Sequence, residues 1–339
     1  MKSRNTILLT AASVLTVTLF LADLTVGSAN LSLREIWAGL SSRTADDTLR
    51  YIVLNFRLPK AVTALFAGAA LSAVGLQMQT LFRNPLAGPY VLGVSSGASL
   101  GVALFTLGMP LLGISPSSVW WGSLGIVGSA WIGAALILLV IMAITARLKD
   151  IMAVLIIGMM FGSAATAVVE ILQYMSPEGA VKSYVVWTMG SLGGVMLSEL
   201  WLLVPILSVG LIISIGLIKP LNMLLLGENY ARTMGLNVRA TRLWIFLATI
   251  LLAGTTTAYC GPISFLGLAV PHIVRMLFRE ADHRTLMPAS MICGGGIMLL
   301  CDMATQLPPN DLTLPVNTVM ALIGIPVVIV VLLRTRKTA

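Results

Sequence analysis

Long apolar runs separated by short polar stretches make up most of this chain of 339 residues. Ten of these runs come close to the roughly 20 residues that a helix needs to cross the hydrocarbon core of a bilayer. The predicted spans are Thr6 to Val26, Ala61 to Leu81, Val91 to Leu107, Val119 to Ala146, Ile151 to Tyr174, Leu200 to Ile218, Leu243 to Tyr259, Ile263 to Phe278, Leu286 to Met303 and Val316 to Leu333. The pattern therefore predicts an all-α integral membrane protein with about ten transmembrane helices in a single domain, residues 1–339.

The composition excludes a soluble globular protein. Hydrophobic residues make up 58% of the chain, charged residues make up only 10%, and the mean hydropathy is +0.97. Soluble domains have about a quarter of their residues charged. Cys260, Cys293 and Cys301 lack a C-x-x-C spacing. We expect them to be small buried residues rather than a disulfide or metal framework.

The distribution of Lys and Arg predicts the orientation of the chain. An even number of spans places both termini on one side, and that side carries Lys2, Arg4, Arg83, Arg147, Lys149, Lys219, Arg232, Arg239, Arg242, Arg275, Arg279, Arg284, Arg334, Arg336 and Lys337. The opposite side carries only Arg34, Arg43, Arg50, Arg57, Lys60 and Lys182. Because positively charged loops face the cytoplasm, both termini are predicted to be cytoplasmic. The net charge of +8 then needs no nucleic acid partner to explain it.

Two glycine- and proline-rich breaks interrupt the apolar pattern, at Pro85 to Gly97 and at Cys260 to Pro271. Irregular backbone at membrane depth survives only where it packs in protein or lines an aqueous path. In the predicted topology the spans before the two breaks run in opposite directions, so the two units form an inverted repeat. Interrupted helices in such repeats are typical of transporters. Glycine and proline that merely pack helices closely would give the same pattern.

The connection between the two halves, Lys219 to Arg242, is the longest predicted cytoplasmic loop. It is semi-apolar and helix-like, and it ends at Gly235, which suits a helix C-cap. A loop that faces only water has little use for Leu224, Leu225, Leu226 and Met234. The physical pattern leaves two explanations open, a helix that docks on another protein and an amphipathic helix that lies on lipid.

The chain contains no G-x-x-x-x-G-K-[ST] phosphate-binding loop. No carboxylate pair, metal cluster or nucleophile with a base lies at a plausible depth, so the chain is not predicted to be an enzyme. Energy for transport would come from another subunit or from an ion gradient, and ion-coupled carriers place acidic or histidine residues deep in their helices. Here the acidic residues of the spans lie near the predicted span ends, which favours ATP coupling; they are Asp23, Asp150, Glu170, Glu199, Glu280 and Asp302.

Four long stretches follow one another along the chain, namely Arg57 to Gly101, Gly190 to Arg242, Gly261 to Arg275 and Leu314 to Pro326. Taken together, they resemble the FecCD family of ABC permeases, which has such stretches in the same order. The spacing Glu228-x-x-Ala231-x-x-x-Gly235 resembles the coupling-helix motif of ABC importers. The resemblance favours docking on an ATPase over binding to lipid.

This resemblance implies the permease of a type II ABC importer in a bacterial inner membrane. It implies a second copy of the chain, two ATPase subunits that hold ATP and Mg, and a periplasmic or surface-tethered substrate-binding protein. The chain itself would bind no cofactor. The substrate would be a ferric siderophore or haem, with cobalamin as the alternative.

Three groups of site residues are implied by the resemblance. The helix that seats on the ATPase would contain Leu226, Gly227, Glu228, Asn229, Ala231, Arg232, Met234 and Gly235. Arg57 and Lys60 would meet acidic residues of the binding protein. Relatives often carry another Arg before the last helix, where this chain has Asp302-Met-Ala-Thr-Gln306. The translocation path would be lined by Gly158, Gly162, Ala165 and Gln77.

Some single residues keep a second explanation. Gly158-x-x-x-Gly162 also suits packing within one subunit. Gln77 and Gln79 face different ways on a helix, so one is expected to line the path and the other to bridge helices. His272 is expected to pack or cap, and His283 to be solvated in a cytoplasmic turn.

Overall fold

The computed structural model describes residues 2–27, 31–41, 47–113, 119–145, 151–306 and 313–335, and within these ranges the regular structure is entirely helical. The helices are α1 (Lys2–Thr25), α2 (Leu33–Ser41), α3 (Asp47–Ile52), α4 (Leu58–Leu81), α5 (Val94–Ala103), α6 (Met109–Leu111), α7 (Val119–Thr145), α8 (Ile151–Met175), α9 (Glu178–Thr188), α10 (Leu197–Gly216), α11 (Ile218–Leu225), α12 (Glu228–Thr233), α13 (Val238–Thr249), α14 (Thr255–Cys260), α15 (Leu266–Phe278), α16 (His283–Thr305) and α17 (Val316–Thr335). π-helical turns join three pairs of these helices, at Val53–Arg57, Leu104–Gly108 and Ile250–Gly254. Some residues of the charge analysis lie outside the described ranges, namely Arg43, Arg147, Lys149, Asp150, Arg336 and Lys337, as does Ala146 at the end of its predicted span.

Eight helical segments are long and apolar enough to cross a membrane in the part of the chain that the structure describes. They are Arg4–Thr25, Asp47–Leu81, Val94–Leu111, Leu124–Ile144, Ile156–Met175, Leu197–Gly216, Val238–Cys260 and His283–Thr305. The other two predicted spans correspond to shorter apolar helices, Leu266–Phe278 and Val316–Ile329. The prediction of an all-α, multi-pass membrane protein is confirmed, and the count of ten spans stays a prediction.

The second span begins well before the apolar run that marks it in the sequence. α3, a π-helical turn and α4 form one continuous segment, Asp47–Leu81, whereas the sequence pattern predicts a span from Ala61. Arg57 and Lys60 therefore lie inside a helix rather than in a loop before it. Hydropathy marks only the apolar part of a helix. Pro59 stands in the first turn of α4, directly after the π-helical turn Val53–Arg57.

The first predicted break is present between α4 and α5 and is packed inside protein. Its central residues Ala87, Gly88 and Pro89 are buried. The carbonyl oxygen of Pro85 lies 2.7 Å from Nε2 of His272, which is itself buried in α15. The expectation that His272 packs or caps is thus confirmed. The backbone of the break is satisfied by a side chain from a neighbouring helix, as hydrocarbon surroundings require.

The second break lies between α14 and α15 and is packed in the same way. Ser264 donates through its backbone N–H and its hydroxyl to Asn317 Oδ1, at 3.1 and 2.6 Å. Gly261 has a φ of +75°, and a Cβ atom there would collide with the carbonyl oxygen of Trp187. The contacts described here show packing in protein, one of the two settings that permit irregular backbone in a membrane, at both breaks. The inverted relation between the two halves stays a prediction.

Helix α4 forms the centre of the packing, with α16, α15 and α10 around it. Its glycines allow the backbones to approach closely, because a Cβ atom at Gly75 would collide with the carbonyl oxygen of Gly267 in α15. A Cβ atom at Gly68 would meet the carbonyl oxygen of Gly294 in α16 in the same way. Small residues are the usual means of close helix packing in membranes, where lipid removes the hydrophobic drive for association.

α4 also defines two ends of the bundle, because its 24 residues span roughly 36 Å at 1.5 Å per residue. We call the end at which α4 starts the Arg57 end. The end at which α4 finishes carries α11 and α12, and we call it the α12 end. The start of the chain also lies at the α12 end. Arg4 donates a hydrogen bond at 2.7 Å to the carbonyl oxygen of Phe278, the last residue of α15. α16 begins shortly after it at His283, which contacts Thr80 at the end of α4.

Candidate functional site

Helices α11 and α12 form a helix–turn–helix at one end of the bundle, which we call the coupling segment, residues 218–235. The turn is made by Gly227, whose φ is +113°. α12 ends at Thr233, Gly235 follows it with a φ of +85°, and the N–H of Leu236 donates to the carbonyl oxygen of Ala231 at 3.0 Å. The predicted C-cap at Gly235 is therefore confirmed.

The side chains of the coupling segment divide into an outer and an inner face. Leu226, Tyr230 and Met234, which lie at the end of α11, within α12 and directly after α12, are exposed by 63%, 57% and 45%. We call these three residues the outer face. Asn229, Arg232 and Gly235 are also exposed. An apolar surface of this kind outside a membrane span usually marks contact with another molecule.

Ala231 lies on the inner face and is completely buried. It packs towards the bundle, as do Leu221 and Leu224, and its assignment to the helix that seats on the ATPase stays a prediction. Tyr230, which the motif leaves unspecified, is exposed instead. The sequence could have signalled this, since Tyr230 falls at helical spacing between Leu226 and Met234.

Two polar contacts beside the Gly227 turn attach the coupling segment to the rest of the protein. Glu228 forms a salt bridge with Arg242 of α13, and Arg232, in the segment itself, lies 3.9 Å from the same carboxylate. Arg83, just after α4, donates to the carbonyl oxygen of Leu224 at 3.4 Å. A Cβ atom at Gly227 would be 2.6 Å from Nη2 of Arg83, so glycine is needed there for space as well as for its backbone conformation.

At the opposite end of the bundle, Arg57 and Lys60 belong to a buried group of charges. Lys60 Nζ lies 2.8 Å from Asp302 Oδ2 at the end of α16, and the side chain of Lys60 is only 17% exposed. Arg57 is buried and donates to the carbonyl oxygen of Val26. Asp23 of α1 is close enough to interact electrostatically with Arg57, Lys60 and Asp302.

This group brings two basic and two acidic residues together from α1, the π-helical turn before α4, α4 itself and α16. Buried ionisable groups in membrane helices are normally paired in this way. The assignment of Arg57 and Lys60 to binding-protein docking stays a prediction. The structure adds an internal role that the sequence analysis missed, although Asp302, an acidic residue within an apolar run, signalled the need for a basic partner.

The small-residue face of α8 packs within the subunit. A Cβ atom at Gly158 would be 3.1 Å from the carbonyl oxygen of Leu92, and one at Gly162 would be 3.6 Å from Cα of Gly93. Ala165 on the same stripe is buried. Packing within one subunit was the alternative explanation of this motif, and the structure supports it.

The opposite face of α8 is broad, apolar and exposed. We call it the outer face of α8, and it contains Met159, Met160, Val168, Ile171 and Tyr174. These large side chains cannot be told from lipid-facing residues by sequence alone, because lipid and protein surroundings both select apolar residues. Any surface that α8 offers to a partner is this face rather than the glycine stripe.

Gln77 and Gln79 behave as two different kinds of residue. Gln77 is completely buried within this subunit, and its assignment to the translocation path stays a prediction. Gln79 accepts a hydrogen bond from Arg275 at 2.5 Å and donates to the carbonyl oxygen of Leu268 at 3.3 Å, so it bridges α4 to α15. His283, expected to be solvated, is buried against Asn222 and Thr80.

Among the residues that the structure describes, no group of three or more His, Cys, Asp or Glu is close enough to hold a metal ion. Cys260 and Cys301 are buried and Cys293 is half-buried, and all three are free thiols. These residues therefore contribute to packing in the helices that contain them.

The sequence profile of the FecCD transport family matches residues 15–334. The haemin transport system permease protein HmuU of Yersinia pestis is 33% identical over 96% of this chain and 94% of its own length. The vitamin B12 import system permease protein BtuC of Klebsiella pneumoniae is 36% identical over 84% of this chain and 83% of its own. The Fe(3+) dicitrate transport system permease protein FecD of Escherichia coli is 31% identical over 96% of this chain and 99% of its own.

Solved structures give the same relationship at the level of the fold. A chain described as an inward-facing conformation of a metal-chelate type ABC transporter superposes with a TM-score of 0.81 at 29% identity, covering 96% of this chain and 99% of that one. PsaBC of Streptococcus pneumoniae superposes with a TM-score of 0.58 at 16% identity and shows a shared fold only.

We predict that the Lys60 to Asp302 contact stabilises the subunit. Lys60→Met leaves the Asp302 carboxylate buried without its partner, which should lower the free energy of unfolding by about 3–5 kcal/mol. Unfolding of the purified protein in mild detergent measures this effect. Adding Asp302→Asn to Lys60→Met should recover most of the loss, and Lys182→Met on exposed α9 is the control. A Lys60→Met protein as stable as the wild type would contradict this role.

Proposed function

Because this chain belongs to the FecCD transport family, we propose that it is the membrane permease subunit of an ATP-driven importer for an iron chelate. The chelate would be a ferric siderophore or haem. Relatives named for haemin and for ferric dicitrate support this choice. Relatives named for vitamin B12 support cobalamin as the alternative substrate.

The observation that carries the proposal is the outer face of the coupling segment, Leu226, Tyr230 and Met234. Its three apolar side chains are exposed although the segment is held firmly to the bundle by Glu228 and Arg83. A surface helix that merely rests on lipid needs no such attachment. A helix that transmits force from a moving partner does, because the movement must reach the membrane spans.

The partner we propose at this face is an ATPase subunit that holds ATP and Mg. The chain contains no phosphate-binding loop of its own, so the permease would not hydrolyse ATP by that route. An ion-coupled carrier is the rival class and needs an acidic residue free to take up the coupling ion. Asp302, the acidic residue at the end of α16, is instead paired with Lys60.

A second copy of the chain and a binding protein complete the proposed importer. Two ATPase subunits require a twofold arrangement of permeases, and we propose that the outer face of α8 lies at the path between the two copies. Arg57 and Lys60 remain the proposed contacts for acidic residues of a periplasmic or surface-tethered binding protein. Docking there would require those residues to compete with Asp23 and Asp302. Both termini and the coupling segment would lie on the cytoplasmic side of the inner membrane.

The outer face of the coupling segment is tested by Leu226→Glu combined with Met234→Glu. Interface residues of this kind contribute enough that the pair should weaken association with the ATPase more than about tenfold. Co-purification of the ATPase with the permease, followed by titration, measures the effect. Lys182→Glu on exposed α9 is the control. Ala231 is not a useful position, because a larger side chain there would disturb the buried inner face.

Unchanged association of the double variant would refute docking at this face. If the two substitutions instead lowered the binding of the coupling segment to lipid membranes, an amphipathic helix that lies on lipid would replace ATPase docking as the explanation of this face.

The outer face of α8 is tested with single cysteines in a background that lacks Cys260, Cys293 and Cys301. Val168→Cys and Ile171→Cys should form disulfide-linked dimers or react with a membrane-impermeant maleimide in the assembled complex. Ala165→Cys, on the packed face, should do neither. A permease that stays monomeric in gentle detergent and yields no cross-link at any outer position would overturn the dimer.

A further inference from the structure

The side chain of Asn222 in α11 joins the coupling segment to the start of α16. Its Nδ2 donates to Asp282 Oδ1 at 2.6 Å. Its Oδ1 lies 2.8 Å from the backbone N of His283 and 2.8 Å from Nδ1 of the same residue. Both nitrogens donate, because a carboxamide oxygen only accepts. One side chain thus uses its donor and its acceptor on two adjacent residues of another helix.

The buried imidazole of His283 extends this contact to α4. Its Nε2 lies 2.8 Å from Oγ1 of Thr80, in the last turn of α4. His283 and Thr80 are both almost completely buried. Asn222, Asp282, His283 and Thr80 therefore form a continuous chain of hydrogen bonds from α11 through the start of α16 to the end of α4. We call these four residues the Asn222 chain.

The two helices that receive the Asn222 chain are fixed to each other along their whole length. Thr80 and His283 join them at the α12 end, Gly68 and Gly294 bring their backbones together in the middle, and Lys60 and Asp302 pair at the Arg57 end. A displacement of the start of α16 is therefore carried by α4 and α16 as one unit.

We propose that Asn222 is a positioning residue through which movement of the coupling segment is passed to the α4 and α16 pair. This inference rests on the proposed docking of an ATPase at the outer face of the coupling segment. Asn222 lies outside that face and touches neither nucleotide nor substrate in the proposed scheme. Its contribution depends on the polarity of the carboxamide, one donor towards Asp282 and one acceptor towards His283.

Because the contact between Asn222 and Asp282 has a donor on one side and an acceptor on the other, it can be tested by exchanging the two residues. Asn222→Asp places a carboxylate opposite the carboxylate of Asp282 and should break the contact. Adding Asp282→Asn restores a donor and acceptor pair with the direction reversed, because the carboxamide introduced at position 282 can donate to the carboxylate introduced at position 222. Oδ1 of Asp282 accepts from both Asn222 and the N–H of Arg284, at 2.6 and 2.8 Å. In the exchange variant the carboxamide at position 282 must therefore turn its nitrogen towards position 222 while its oxygen keeps the N-cap of α16, a role that asparagine fills as well as aspartate. Asp282→Asn alone keeps an acceptor for Asn222 and is the control.

The experiment uses the complex of permease and ATPase reconstituted in liposomes, with Val168→Cys as a reporter on the outer face of α8. The readout is the change in the rate of maleimide labelling when ATP and orthovanadate are added, measured beside thermal stability and basal ATP hydrolysis. Asn222→Asp should still associate with the ATPase but lose most of the labelling response, roughly tenfold if the coupling has the usual size. The exchange variant should recover more than half of the response.

A purely structural role would lower the thermal stability but leave the full response in each assembled complex, and that result would overturn the inference. An unchanged response in Asn222→Asp, or a wild-type complex whose labelling does not respond to nucleotide, would overturn it as well. Failure of the wild-type permease to associate with the ATPase at all would refute the proposed function, and this inference with it.

Discussion

The contact between α4 and α16 is the interaction on which the rest of the structure depends. In hydrocarbon, helices gain little from apolar contact as such, so close backbone approach and internal polar pairing must hold them together. Gly68 and Gly294 provide the first, and the Lys60 to Asp302 contact provides the second. Around this pair α15 and α10 complete the packing. Both breaks form hydrogen bonds to side chains of neighbouring helices, His272 at the first break and Asn317 at the second.

This rigid centre explains why the two ends of the protein carry polar networks rather than isolated charges. At the Arg57 end the network closes α1 onto the pair through Asp23 and Arg57. At the α12 end it attaches the coupling segment through Asn222. A transporter that moves its membrane helices as units needs fixed attachments where force enters. The Asn222 chain lies next to the surface where we propose that the ATPase docks.

Much of the fold could be predicted from the sequence because its signals are local. Apolar runs mark the spans, Gly and Pro mark the breaks, and Gly235 marks the end of α12. The long helical extension from Asp47 could not be predicted, because hydropathy marks only the apolar part of a helix. Which face of α8 packs against the subunit could not be predicted either, since its packed and exposed faces are both apolar. The burial of His283 depends on Asn222 and Thr80, which are distant in the sequence, and a single sequence does not reveal such contacts.

The central claim, that this permease works in an ATP-driven importer, is tested most directly by transport in proteoliposomes. The vesicles would contain this chain, the ATPase that associates with it and the binding protein, with haemin, ferric citrate or cyanocobalamin as the substrate. The account predicts that haemin or ferric citrate accumulates only when ATP reaches the ATPase, and that accumulation continues after a protonophore removes the proton gradient. Uptake that proceeds without ATP and stops when the protonophore is added would contradict it.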